Sequence, residues 1–432
     1  MILGNTSSSP TRWRAAAAAC TAALLVPLSP APAQATPKQA VAKAEIPCPK
    51  PKVQPPAGRP ARPTPPKDDP VLRAVGGDAL ATDGLIVPSG SAKPPALTAT
   101  SWLVADLDTG EVLGGCGPHV YGTPASVQKL LLAATVLPKL DPKQTVKITA
   151  GDLAIEPGSS AVGLVKGGKY TVSTLWLGLL LNSGNDAAQT LARLGGGKGG
   201  VAATVAEMNA KAKQLGAYQT HAVTPSGLDG PGQFTSAYDL ALIGRACFAE
   251  PDFGKYALTK TAHMPAQKSP KAGGFEIQNE NKLIFQYKGA LGGKTGFTQL
   301  ARHSYVGAAK RNGRRLVVTL LGAEANPLRG YEQGEALLDW GFSLPKDASV
   351  GKLIDPVSTE SGGVAAETES TPAPRNATSA GGVARAASTS GLSLGAAAAV
   401  AIVLTATPLL LLLTQRRRVR RRPRRRRPAY NR

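Results

Sequence analysis

Two side chains that together could perform nucleophilic catalysis lie one helical turn apart, at Ser126 and Lys129. Residues three positions apart share one face of a helix, so this hydroxyl and this amine can meet. The stretch that follows, residues 130–137, is apolar on nearly every side, which predicts a buried helix. A lysine that begins a buried helix is costly unless it has a partner or a function. The pair could therefore be a serine nucleophile with a lysine as its base, but the spacing alone is a weak signal, because Ser343–Lys346 and Ser349–Lys352 share it without opening an apolar helix.

Two further short motifs come later in the chain, Ser183-Gly184-Asn185 and Lys294-Thr295-Gly296. The first lies in a tight connection after an apolar helix and before another helix. The second follows a pair of glycines and opens a predicted strand. Each motif is common by itself, but in this order and in these settings the three together form a strong signal.

Strand patterns lie near both ends of residues 96–346, and helical patterns fill the part between them. Near the second end, Asn312-Gly313 is the strongest short hairpin signal in the chain. These patterns predict an α+β fold, in which strands from the two ends form one antiparallel sheet and a mostly helical lobe is inserted between them. A site is then expected where the two lobes meet. The predicted strands are 101–107, 111–113, 304–310 and 314–321, and the predicted helices are 173–181, 186–194, 200–215 and 236–248.

The three motifs resemble the motif set of penicillin-binding proteins and class A β-lactamases, with Gly184 in place of the middle aspartate of the second motif. Residues 98–344 resemble, more closely, the low-molecular-weight penicillin-binding proteins that are serine-type D-alanyl-D-alanine carboxypeptidases. This resemblance implies a penicillin-binding-protein/β-lactamase-like transpeptidase fold. It is carried by ADLDTG at 105–110, SGNDAA at 183–188, PSGLD at 225–229, AYDLA at 237–241, KTGFT at 294–298 and DWGF at 339–342.

The resemblance implies a mechanism for Ser126 and Lys129. Ser126 would attack the carbonyl between the last two D-alanines of a peptidoglycan stem peptide, and β-lactams would acylate the same hydroxyl. Lys129 can serve as base only when neutral; burial lowers a lysine pKa, and the nearby cation Lys294 would lower it further. The backbone N–H groups of Ser126 and Phe297 would form the oxyanion hole. Water would then hydrolyse the acyl-enzyme.

The remaining motif residues would serve the leaving group and the substrate. By the same resemblance, Ser183 would relay a proton to the leaving amine, and Asn185 would hydrogen-bond the substrate amide. Lys294 and Thr295 would bind the terminal carboxylate, and the fixed positive charge of Lys294 would select a free C-terminus. The expected substrate-binding residues are therefore Asn185, Lys294, Thr295, Gly296 and Phe297.

Several alternative functions use related folds. A class A β-lactamase needs a deacylating glutamate in a Glu-x-x-Leu-Asn-like loop, and the nearest match is Glu280, close to Lys294. A D,D-endopeptidase or a transpeptidase of the same fold is a second alternative. A catalytically silent cell-wall-binding protein is the third, although all three motifs keep their chemical residues.

No cofactor is implied by the resemblance, and the spacing of the four histidines is not that of a metal site. Relatives often carry an arginine shortly after the last long strand that helps to bind carboxylate. Gly322-Ala323-Glu324 stands near that point and Arg329 lies a little later, so the part that Arg329 plays is open.

The two ends of the chain predict export and membrane anchoring. Residues 1–35 have a basic start, a short apolar run and a small-x-small site, which is typical of a secretory signal peptide. Residues 391–414 contain an uncharged stretch long enough to span ~30 Å of hydrocarbon. The arginine-rich tail at 415–432 is then expected in the cytoplasm, with the rest of the mature chain outside.

Two segments of biased composition flank the predicted catalytic domain, 96–346. Residues 36–95 are rich in proline, alanine and lysine, and residues 347–390 in small and polar residues. Neither composition favours burial, so both are predicted to be flexible linkers.

Charge and cysteine content follow this division. Of the 50 basic residues, 13 lie in the signal peptide and the tail, so 37 basic and 28 acidic residues remain in the exported part. The tail could bind nucleic acid, but contact with anionic lipid headgroups is the simpler interpretation. Cys48, Cys116 and Cys247 allow at most one intramolecular disulfide, and the sequence leaves the pairing open.

Overall fold

The computed structural model describes residues 45–54, 57–58, 60–268 and 271–357. The predicted signal peptide, membrane span and arginine-rich tail lie outside these ranges. Within them, no helix combines the length and the apolar character that crossing a bilayer requires. The helices are α1 Pro70–Arg73, α2 Lys129–Val136, α3 Val172–Asn182, α4 Asn185–Gly195, α5 Gly200–Gln214, α6 Ala237–Ala249, α7 Pro251–Leu258, α8 Leu283–Gln286 and α9 Gly330–Ser343. The strands are β1 Leu85–Ile86, β2 Ser101–Asp106, β3 Glu111–Cys116, β4 Thr145–Lys147, β5 Lys169–Thr171, β6 Thr261–Met264, β7 Phe275–Gln278, β8 Ala290–Thr298, β9 Arg302–Arg311, β10 Arg314–Ala323 and β11 Gly351–Lys352.

One antiparallel sheet joins strands from both ends of the fold, in the order β1-β3-β2-β10-β9-β8, with β11 also paired to β3. The α+β prediction is therefore confirmed. Asn312 and Gly313 form the tight turn between β9 and β10, with φ values of +51° and +82°. Positive φ at both turn residues matches the right-handed twist of the flanking strands, which is why Asn-Gly predicted this hairpin correctly.

Both faces of the central strands are covered. In β10, Leu316 and Val318 pack in a cluster with α9, whereas Val317 between them packs on the opposite face in a cluster with α2 and α6. Successive side chains of a strand point to opposite faces, so a strand buried on both sides is apolar throughout. Helix α2 is buried along nearly its whole length, as its all-round apolar sequence predicts.

The middle of the chain forms the helical lobe between the two groups of strands. Helices α3, α4, α5 and α6 lie within one or two residues of the predicted bounds. Thr171 and Ser236 cap the starts of α3 and α6, because their side chains accept hydrogen bonds from the backbone N–H groups of Thr174 and Asp239.

The predicted linkers are wrong where the structure describes them. Within 36–95, the described part contains α1 and β1 and a fully buried Leu80, and the Trp340 indole N–H donates to the Ala92 carbonyl at 2.8 Å. After residue 346, β11 extends the sheet and Leu353 is fully buried. The biased composition of the two segments concealed these few apolar residues, which belong to the larger hydrophobic core.

A disulfide between Cys48 and Cys116 fastens the N-terminal segment to β3, and Cys247 is a buried free thiol. This answers the pairing that the sequence left open. The bond closes a loop across 68 positions of sequence. Closing such a loop in the unfolded chain removes much of its conformational entropy, so the disulfide should stabilise the folded state.

We expect the double variant Cys48→Ser/Cys116→Ser to lose about 2–4 kcal/mol in its free energy of unfolding. Chemical denaturation under non-reducing conditions measures this loss, and Cys48→Ser alone should match the double variant. Acylation by penicillin should change little, because β3 and β8 lie near opposite ends of the strand order. An unchanged unfolding midpoint would show that the packed N-terminal segment holds without the bond.

Candidate active site

Ser126 lies in a short 3₁₀ turn, Ala125–Gln128, directly before α2. The preceding residue, Ala125, has a φ of +49°, a left-handed conformation that is strained for a residue with a Cβ. A hydrogen bond from the Ser304 hydroxyl to the Pro124 carbonyl, 2.6 Å long, ties this turn to β9. The turn presents a partly exposed serine at the junction of the sheet and the helical lobe.

Lys129 is completely buried, and its amine has three hydrogen-bond partners among the described residues. The Nζ atom lies 2.8 Å from Ser126 Oγ, 2.8 Å from Asn185 Oδ1 and 2.9 Å from the Ser226 carbonyl oxygen. Two of these partners can only accept, whereas the serine hydroxyl can also donate. A neutral amine has two N–H donors and one lone pair, so this set of partners fits a neutral lysine that accepts the proton of Ser126.

The electrostatic surroundings favour the same neutral form. Burial lowers the pKa of Lys129 well below its usual range, and the charge of Lys294 lowers it further. Glu280 and Asp186 act in the opposite direction. Burial also lowers the pKa of Lys294, to about 8, and Glu280 again opposes the shift.

Ser183 ends α3 in a left-handed conformation, with a φ of +56°. Its hydroxyl is buried, and within the described part of the chain it has no hydrogen-bond partner. A buried polar group without a partner carries a free-energy cost, so an unoccupied hydroxyl here is suited to a substrate atom. The geometry gives Ser183 no direct hydrogen bond to Lys129 among the residues described.

Gly184 stands where an aspartate is usual in the motif, and the packing around it leaves no room for a side chain. A Cβ at this position would lie 2.2 Å from Val162 Cγ2, so Val162 occupies the space that a side chain would need. The Asp186 carboxylate holds the segment of Val162 in this position, because it accepts hydrogen bonds at 2.9 Å from the backbone N–H groups of Val162, Gly163 and Leu164.

Strand β8 carries the third motif and forms one edge of the sheet, paired with β9. Lys294 is 1% exposed, and its amine donates to the Thr295 carbonyl at 2.7 Å. Gly296 lies against the nucleophile: a Cβ on it would lie 2.8 Å from the Ser126 backbone nitrogen. The peptide that joins Gly296 to Phe297 therefore lies beside the Ser126 amide, where an oxyanion hole is expected.

A groove of about 800 Å³ runs along this junction. Asn185 and Ser226 line it near the lysine, and Phe297, which is 49% exposed, lines it at the end of β8. A groove of this size can take a short peptide.

Two groups that act on Lys129 were not identified from the sequence, the Ser226 carbonyl and the Glu280 carboxylate. The Ser226 carbonyl could not be assigned, because its direction depends on the local turn, in which Gly227 has a φ of +85°. Glu280 was considered only as a deacylating glutamate, but it acts on the pKa of both lysines.

Arg329, whose part the sequence left open, is exposed and caps the start of α9. Its backbone N–H donates a hydrogen bond to the Glu332 carboxylate at 2.6 Å. Glu324, which stands nearer the end of β10, forms an ion pair with Arg302 at 2.8 Å.

A protein-family model and several named proteins are similar to this chain. A family model described as peptidase S11, D-alanyl-D-alanine carboxypeptidase, matches residues 89–325. The D-alanyl-D-alanine carboxypeptidase DacB2 of Mycobacterium tuberculosis is 45% identical over 276 residues, which are 63% of this chain and 91% of that protein. The D-alanyl-D-alanine carboxypeptidase DacD of Salmonella typhimurium is 36% identical, over 61% of this chain and 67% of that protein.

Solved structures show the same similarity. The crystal structure of a D-alanyl-D-alanine carboxypeptidase from Mycobacterium tuberculosis is 45% identical and superposes with a TM-score of 0.58, covering 62% of this chain and all of that one. The DD-transpeptidase of Streptomyces K15 is 27% identical with a TM-score of 0.56, covering 59% of this chain and all of that one. The predicted transpeptidase fold is confirmed.

Proposed function

The chain belongs to the peptidase S11 family of D-alanyl-D-alanine carboxypeptidases, and we propose that it removes the terminal D-alanine from peptidoglycan stem peptides through an acyl-enzyme on Ser126. The observation that carries this proposal is the 2.8 Å contact between Ser126 Oγ and the fully buried amine of Lys129. A serine hydroxyl needs a base to become a nucleophile, and a neutral lysine at hydrogen-bond distance supplies one.

In the first half-reaction, Ser126 Oγ attacks the carbonyl carbon between the two D-alanines while Lys129 takes the hydroxyl proton. The backbone N–H groups of Ser126 and Phe297 stabilise the negative oxygen of the tetrahedral intermediate. The C–N bond then breaks, and the leaving amine of D-alanine receives the proton that Lys129 took from Ser126, with the free hydroxyl of Ser183 as the relay, so that Lys129 is neutral again. In the second half-reaction, neutral Lys129 takes a proton from water while the water oxygen attacks the ester carbonyl. Lys129 then returns this proton to Ser126 Oγ as the C–O bond of the ester breaks and the shortened peptide leaves.

Substrate recognition uses the residues around the nucleophile. Lys294 supplies a buried positive charge for the terminal carboxylate, and Thr295, which is partly exposed, supplies a hydroxyl beside it. Asn185 has its side-chain oxygen engaged with Lys129, so its amide N–H groups are directed to the substrate carbonyl. A β-lactam, which also combines a carboxylate with a reactive amide, would acylate Ser126 in the same way.

The pH profile of kcat/KM should be bell-shaped, and Glu280→Gln should move both limbs to lower pH. Activity rises with pH as Lys129 loses its proton, and it falls above about pH 8, where Lys294 loses the charge that binds the carboxylate. Glu280 raises the pKa of both lysines, so its neutralisation lowers both. The variant should therefore be relatively more active than the wild type on the acidic limb and less active on the alkaline limb.

A matched control is Glu276→Gln, which removes an exposed carboxylate from β7, four residues before Glu280. It should leave both limbs where they are. If Glu280→Gln also leaves them unchanged, Glu280 does not influence the two lysines.

We also propose that the protein is exported by the signal at residues 1–35 and anchored by a single span within 391–414. The catalytic domain would then lie outside the membrane, where peptidoglycan is, and the tail at 415–432 would lie in the cytoplasm. This proposal rests on the sequence pattern. Protease treatment of sealed membrane vesicles of known orientation tests it: a tail that is cleaved from the outer side would reverse the topology.

The activity is tested by incubating the full-length protein with a peptide that ends in D-Ala-D-Ala and measuring released D-alanine. The same peptide with a C-terminal amide should react far more slowly, because it lacks the carboxylate. The similarity to the Streptomyces K15 DD-transpeptidase makes transfer the second candidate function. With an acceptor amine such as glycine present, formation of a new peptide rather than hydrolysis would favour that alternative; release of no D-alanine by folded protein would refute the proposal.

A further inference from the structure

Residues 60–66, with the sequence PARPTPP, form a strap on the surface of the domain that belongs to no helix or strand. Pro60 and Pro63 are half-buried, whereas the other five residues of the strap are exposed. Residues three positions apart lie on one face of a polyproline II helix, the conformation that such a proline-rich sequence favours. The strap therefore contacts the domain along the one face that carries Pro60 and Pro63.

The surface beneath the strap carries two aromatic rings. Tyr121 and Phe234 meet edge to face, with ring centroids 6.0 Å apart and ring planes at 78°. Backbone hydrogen bonds between Gly122 and Thr235, 2.8 and 2.9 Å long, hold together the segments that carry the two rings. Both rings and Pro63 line a cavity of about 220 Å³. Proline-rich segments dock in aromatic-lined grooves, so the strap is seated as an intramolecular ligand.

The strap is anchored at both ends but not along its length. Before it, Cys48 is bound to Cys116 by the disulfide, and after it Leu80 is fully buried. Within it, the Arg62 guanidinium donates to the Thr100 hydroxyl at 2.6 Å. Among the described residues, no backbone hydrogen bond joins the strap to the rest of the domain, and proline has no N–H with which to donate one. A surface segment without such bonds can lift at a small cost in free energy while its ends stay attached.

A second cavity, of about 530 Å³, extends from the strap to the groove at the active site. Pro63 lines this cavity on the strap side, and Asp229 lines both the cavity and the groove. Gln299 lines the groove just after β8, and the next residue, Leu300, lines both cavities at the strap. The strap therefore lies across the continuation of the groove beyond β8.

The proposed function sets the direction in which a substrate enters this region. Its terminal carboxylate is bound at Lys294 and Thr295 and its scissile carbonyl at the N–H of Phe297, so its preceding residues run along β8 toward Leu300. The residue before the two D-alanines stays beside the end of the strand. The two earlier residues of a stem pentapeptide extend about 7 Å further, and the sugar that carries them lies beyond. These parts of the substrate arrive where the strap lies.

We propose that the strap is a cover that a long substrate must displace, and that it thereby limits the action of the enzyme on sugar-linked stem peptides but not on short peptides. The inference rests on the proposed function, from which the direction of the substrate follows. A short peptide ends before the strap and binds whether or not the strap is seated. A sugar-linked stem peptide binds only the molecules whose strap has lifted, so its apparent affinity falls by that fraction. A strap that is seated in about nine molecules of ten lowers kcat/KM for the long substrate about tenfold.

Two substrates with the same C-terminal residues test this inference. The short one is Nα-acetyl-L-lysyl-D-alanyl-D-alanine, and the long one is a disaccharide–pentapeptide that ends in the same three residues. Released D-alanine gives kcat/KM for both with the full-length protein. The variant Arg62→Ala/Pro63→Ala removes the hydrogen bond to Thr100 and a half-buried proline ring. It should raise kcat/KM for the long substrate by about tenfold and leave the value for the short one unchanged. Pro63→Ala alone should give a smaller rise in the same direction.

The matched control is Pro66→Ala/Lys67→Ala, which replaces a proline and a cation at exposed positions that line neither cavity. It should keep the wild-type values for both substrates. A gain on one substrate cannot arise from loss of structure. An unchanged or lower value for the long substrate in Arg62→Ala/Pro63→Ala would overturn the inference and leave the carboxypeptidase activity standing. An equal rise for both substrates would also overturn it, because the strap would then act on the site and not on substrate length. Cleavage of neither substrate by folded wild-type protein would overturn both the inference and the proposed function.

Discussion

Replacing Lys129 with alanine should slow the acylation of Ser126 by about 10³-fold, the size of effect that general-base catalysis supplies. The variant leaves the serine hydroxyl in place but removes the only amine within hydrogen-bond distance of it in the described structure. The rate of covalent labelling by a fluorescent penicillin measures the change. Lys129→Arg should be equally slow, because a guanidinium stays charged and cannot accept the proton.

Loss of structure must be separated from loss of the base. Lys129→Ala leaves Asn185 Oδ1 and the Ser226 carbonyl without their donor, so thermal unfolding of each variant should be recorded beside the labelling rate. The matched control is Lys139→Ala, at an exposed lysine just beyond α2 that pairs with Glu207. It should label at the wild-type rate. If folded Lys129→Ala labels within tenfold of the wild type, Lys129 is not the base.

Gly296→Ala should have the second largest effect, a fall in the acylation rate of about 10²-fold or more. The added methyl group would lie 2.8 Å from the Ser126 backbone nitrogen and 2.4 Å from Ser304 Oγ. One of the two must move, and displacement of the Ser126 N–H would remove a donor of the proposed oxyanion hole, a loss that typically costs that much in rate. The labelling rate again measures the effect.

Gly254→Ala is the control for Gly296→Ala. It adds the same methyl group within helix α7, where the new Cβ would meet no described atom within 4 Å other than its chain neighbours and the helix's own backbone. It should label at the wild-type rate. If Gly296→Ala labels within threefold of the wild type, the Ser126 amide tolerates the added methyl group. In that case β8 does not position the oxyanion hole in the proposed way.

Much of the fold could be predicted because its signals are local. The hairpin at Asn312-Gly313 depends on two residues that tolerate positive φ, and α2 depends on an uninterrupted apolar run. The packed N-terminal segment could not be predicted in this way. Its contacts are made by isolated residues such as Leu80 within proline-rich sequence, and by a disulfide to Cys116 that spacing alone does not reveal.

The candidate site likewise combines a contact that the sequence could predict with contacts that it could not. Ser126 and Lys129 meet through helical spacing, so their contact was predictable from the sequence. The approach of Lys294, 165 positions further along the chain, requires the sheet to close against the helical lobe, and it was expected only by resemblance. The Ser226 carbonyl and the charge of Glu280 reach Lys129 through loop geometry, for which the sequence carries no comparable pattern.

The proposed covalent intermediate on Ser126 can be located directly with a β-lactam. The folded full-length protein is treated with benzylpenicillin, and the modified residue is located by mass spectrometry after digestion. Opening of the β-lactam ring adds the whole molecule without a leaving group, so one peptide should gain the mass of one benzylpenicillin, and fragmentation should place it on Ser126. An adduct on any other residue, or none on a folded sample, would contradict the account.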